Sequence, residues 1–149
     1  MNSDLTRFNN QLVQLLQFLK TIECLERKKG VSLFEMKLEG IKLADSKKPL
    51  ECFLKYVYPY KEAIMKRDES FFVQDFEGKV AKFSQDAKAQ NDELLQDAGD
   101  DEFILHQALN IKQFWESEID DNQKKIIWTY FQVLVKLTER YVAAKMNLV

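Results

Sequence analysis

At 149 residues, 46% hydrophobic and 31% charged, the chain has the composition of a globular domain large enough to bury roughly two thirds of its unfolded surface. Gly 4 and Pro 2 are too few for a sandwich or barrel that turns about every ten residues, which points to helices. A net charge of -2 gives no excess of positive charge to hold a polyanion and disfavours a dedicated nucleic-acid binder.

The N-terminal stretch MNSDLTRFNNQ has no basic segment leading into an apolar core, so no signal peptide is expected. No apolar run approaches the roughly 18 residues of a membrane span. Cys24 and Cys52 make neither a disulfide framework nor a metal spacing and read as reduced, buried small hydrophobes. The expected setting is a reducing, aqueous, intracellular compartment.

In chain order, Ser3 or Asp4 caps a first helix whose apolar positions, Leu5, Phe8, Leu12, Leu15, Leu19 and Ile22, recur at steps of three and four. Its expected end is the basic turn before Gly30. Charge pairs of the coiled-coil type are missing, so it reads as a bundle helix within the chain.

From Val31 to Ser46 the pattern blurs. Phe34, Leu38 and Ile41 fit a helix, while Met36 with Leu38, and Ile41 with Leu43, alternate like short strands. Gly40 weakens a helix by about 1 kcal/mol relative to Ala. A helix is the favoured reading.

Pro49 suits a first helical turn, and Phe53 to Val57 continue a short helix that ends at Tyr58, ahead of Pro59. A further short helix is expected over Tyr60 to Met65. Phe71, Phe72 and Phe76 then crowd together as either a core plug or an exposed docking patch; plugs are the commoner case. Ser84 to Glu102 is polar and acidic, a solvated helix with a loop or a mobile connection.

Phe103 to Glu116 and Asn122 to Met146 read as a helical hairpin, with Asp120 or Asp121 capping its second arm. That arm is the most apolar helix of the chain. Lys125, Thr129, Gln132, Lys136, Glu139 and Arg140 share an arc of about 100°, and large apolar residues fill most of the rest. Other helices should therefore cover it on most sides, Leu5–Leu25 and Phe103–Trp115 being the best matched. A second subunit could also cover part of that face, which leaves room for a homo-oligomer, but the supply of matching stripes favours burial within one chain.

Few positions carry chemistry. His106 with Glu102 one turn earlier is two ligands at most and fits a helix-surface histidine. Asp97, Asp100, Asp101 and Glu102 lack the alternating ligands of a calcium loop. The scattered pairs Lys28-Lys29, Lys47-Lys48 and Lys124-Lys125 would contact phosphate only by converging in space. No phosphate-cradle, nucleophile-elbow or metalloprotease motif occurs. The residues therefore point to a non-enzymatic chain without catalytic, metal or cofactor site. Its role would be a protein–protein interaction or structural one; the alternative is a nucleic-acid-associated accessory protein using the lysine pairs.

Three segments, FNNQLVQLLQFLKTIE from Phe8, YKEAIMKRDESFF from Tyr60 and FWESEIDDNQKKIIWTYFQVLVKLTERY from Phe114, together cover roughly half the chain. Their order resembles a group of small uncharacterised helical proteins of large nucleocytoplasmic DNA viruses. The resemblance implies a virus-encoded helical protein, virion-associated or host-modulating, in the virion or host cytoplasm. It supplies no catalytic residues; Asp68, Glu69, Phe71, Phe72, Asn122, Trp128 and Tyr130 are its conspicuous positions.

The expected fold is all-α: one compact domain over residues 1–149, a bundle of five to seven helices around a central, widely apolar C-terminal helix.

Overall fold

The computed structural model describes residues 3–23, 30–72 and 114–147. Its bounded α-helices are α1 (Ser3–Lys20), α2 (Gly30–Ala44), α3 (Lys48–Tyr56), α4 (Lys61–Met65) and α5 (Asp121–Asn147). A 3₁₀ turn, Tyr58–Tyr60, joins α3 to α4. Among the described residues there is no strand, and the fold is an all-α bundle. The acidic stretch 84–102, most of the helix expected from Phe103, and the pair Glu102 and His106 lie outside the described residues.

Local signals set most boundaries. Asp120 caps α5 in a reciprocal box: its carboxylate accepts from the Gln123 backbone N–H at 2.8 Å, and the Gln123 side chain accepts from the Asp120 N–H at 3.0 Å. Pro49 occupies the first turn of α3, where its missing N–H costs nothing. α1 stops earlier than expected, at Lys20. There the backbone tightens: Thr21 and Ile22 donate to Phe18 and Leu19, three residues back, and the Thr21 hydroxyl also donates to the Phe18 carbonyl at 2.6 Å. A β-branched pair whose hydroxyl competes for a helix carbonyl is a reasonable place for the break.

α1 runs antiparallel along α5. Asp4 meets Arg140 at 3.4 Å near one end, and the rings of Phe18 and Tyr130 lie 6.3 Å apart near the other. α4 abuts α5 where Gln132 donates to the Ile64 and Met65 carbonyls at 3.2 and 3.3 Å, satisfying groups that the end of α4 leaves open. Asn9 ties α1 to the turn after α2 by donating to the Ser46 carbonyl at 3.0 Å. The polar arc of α5 emerges as expected: Lys125, Thr129, Lys136, Glu139 and Arg140 are exposed. Opposite it, Ile127, Trp128, Leu134, Val135, Leu137 and Tyr141 are buried. Ile126 is the departure, 38% exposed at the edge of the apolar face. Cys52 is only half-buried, not the core residue expected; Cys24 lies outside the described residues.

The buried residues join in one cluster, densest in aromatic rings. Trp128 is 3% exposed and lies 5.0 Å from Phe72 and 5.6 Å from Trp115, centroid to centroid. Replacing it with Ala removes a large buried ring that its neighbours cannot refill. We expect Trp128→Ala to cost about 3–5 kcal/mol. Lys136→Ala, on the exposed arc, should stay within about 0.5 kcal/mol. Urea unfolding of both variants checks this; comparable small effects would remove the central role of α5.

Candidate functional site

The segment from Lys66 to Phe72 decides between plug and patch. Arg67 takes a left-handed conformation, φ 55°, just after α4. The Asp68 N–H donates to the Ala63 carbonyl at 2.8 Å and the Arg67 N–H to Ile64 at 3.1 Å, the paired bonds of a helix-ending Schellman turn. Asp68 then accepts from the Ser70 N–H at 3.0 Å. The hydroxyl of Ser70 first, and its backbone N–H second, hold the Asp68 carboxyl below 3.8. Two turns in succession lead into the two buried phenylalanines.

Phe71 is 0% and Phe72 2% exposed, their rings 4.9 Å apart and edge to face. They are therefore core residues and offer no docking surface; the driving force is the burial of two large rings against Trp115, Trp128 and Phe131. Phe76 lies outside the described residues.

Lys47-Lys48 and Lys124-Lys125 do not converge. Lys124 and Lys125 open α5, while Lys47 and Lys48 lie about one turn from Glu51, whose carboxylate contributes to raising Lys145 in the last turn of the same helix. From Lys124 to Lys145 is roughly 30 Å of helix. Lys124 is also engaged, 3.9 Å from Glu69 and 5.5 Å above the Trp115 ring. Lys47-Lys48 and Lys124-Lys125 are thus not brought together, and Lys28 and Lys29 lie outside the described residues.

Two surface features remain. An open groove of about 460 Å³ lies between α1 and α5, with Gln11, Asn122, Lys125, Ile126, Thr129, Tyr130 and Val133 around it. Its polar groups are the Lys125 ammonium, the Gln11 and Asn122 amides and the Thr129 and Tyr130 hydroxyls. The second feature is the outer side of α2. At roughly 100° per residue, Val31, Phe34, Leu38 and Ile41 lie within about 80° of one another and face the bundle; Val31 and Leu38 are buried and Phe34 packs against the core. Met36, Gly40 and Leu43 lie on the opposite side, within about 60°. There Met36 is 64% and Leu43 84% exposed, and a Cβ added at Gly40 would meet nothing within 4 Å.

Charged residues lie on one side of α2, between this outer stripe and α1. Lys42 and Glu39 pair at 3.0 Å, and Glu35 accepts from Lys20 at 3.0 Å and from Gln17 at 2.6 Å across to α1. An exposed apolar strip with a glycine notch has the make-up of a helix-docking surface. The blurred pattern of α2 was its signal: residues two apart on a helix point nearly opposite ways, so Met36 with Leu38 marks two apolar sides.

Among the described residues, no helix is long and apolar enough to cross a membrane, and no group of three or more His, Cys, Asp or Glu is placed to hold a metal. In comparisons with protein-family models, curated proteins and solved structures, nothing matches the chain.

Two measurements bear on these local features. The Asp68 carboxyl, lowered in the folded state, adds stability that is complete above 3.8 and is lost as pH falls through its lowered value. The stability advantage of wild type over Asp68→Asn should therefore shrink below that pH, and thermal melts across the acid range check it. Gly40→Ala, with open space around the new methyl, should stabilise the dilute protein by about 1 kcal/mol; a loss in chemical denaturation would contradict the exposed placement.

Proposed function

We propose that the chain is a non-enzymatic protein–protein interaction or structural protein. The observation that carries this reading is the apolar outer side of α2. A helix apolar on two opposite sides is ordinarily buried on both, and in this bundle one of them faces solvent. The resemblance to small helical proteins of large nucleocytoplasmic DNA viruses supports a virion-associated or host-modulating role, set in the virion or the host cytoplasm.

A photo-crosslinking amino acid in place of Leu43, compared with the same group in place of Lys136, tests it. The expected result is an adduct of defined mass at position 43, absent at 136. The captured polypeptide, once purified, should bind the chain and lose binding to Leu43→Lys. Equal labelling at both positions, or none, overturns the reading.

A further inference from the structure

We draw no further inference here: the strongest candidate, the open groove of about 460 Å³ between α1 and α5, is lined only by exposed or half-buried side chains, and nothing in the structure shows what fills it.

Discussion

The structure depends on how its largest rings are taken out of water. Phe72 lies 4.4 Å from Trp115 and 5.0 Å from Trp128, with Phe131 closing the cluster at 5.4 Å from Phe72. These residues come from three stretches of chain, so burying the rings also fixes where each stretch runs. Local devices aim them. The Asp120 and Gln123 box sets where α5 begins and thus which way Trp128 points. The left-handed Arg67 ends α4 one residue before Asp68 starts the turn that brings in Phe71. A left-handed Arg costs on the order of 1–2 kcal/mol, comparable to part of the gain from burying one phenylalanine. The cluster tolerates a further cost: the Trp115 indole N–H is buried without an acceptor, a penalty on the order of 1–3 kcal/mol. Packing against the Phe72 and Trp128 rings and the Lys124 ammonium above its face offsets it.

Around that cluster the remaining helices are placed by polar contacts that each answer an end-of-helix problem. Gln132 serves the last carbonyls of α4, and Asn9 the carbonyl of Ser46. Tyr58 donates to Glu139 at 2.8 Å and accepts from Lys61 at 3.3 Å, joining the 3₁₀ turn and α4 to the exposed arc of α5. The Tyr58 hydroxyl, and after it Glu139, raise Lys61 above 10.5. The Lys61 side chain is about half exposed, so its role is in orienting α4, with packing left to Ile64 and Phe71 behind it.

What could be read from residues alone was what depends on neighbours in sequence. The polar arc of α5, the Asp120 cap, the Pro49 start and the identity of α2 as a helix all follow from spacing within a turn or two. The end of α1 did not, because Thr21 turns its hydroxyl back on the Phe18 carbonyl, and a threonine elsewhere in a helix carries the same symbol. The separation of Lys47-Lys48 from Lys124-Lys125 was not legible for a different reason. Their meeting depends on which end of α5 each approaches, and nothing local encodes that. For Phe71 and Phe72 the pattern allowed plug and patch alike. The turn geometry at Arg67 and Asp68 decided it, and that geometry is unusual for an arginine.

α2 shows why the candidate surface was hardest to see. An apolar residue on the outside of a helix and one on its inside contribute equally to composition and cancel in any measure of sidedness. The same cancellation that made the stretch resemble alternating strands is the physical content of the surface. Single exposed apolar side chains are ordinary on proteins. The distinction at α2 is order: two large ones with a glycine between them, on one side of the helix. Within the described bundle Gly40 meets no close turn, no positive φ and no neighbour that excludes a Cβ, so its helix penalty gains nothing inside the chain. A second helix lying across it would use the space that the missing side chain leaves.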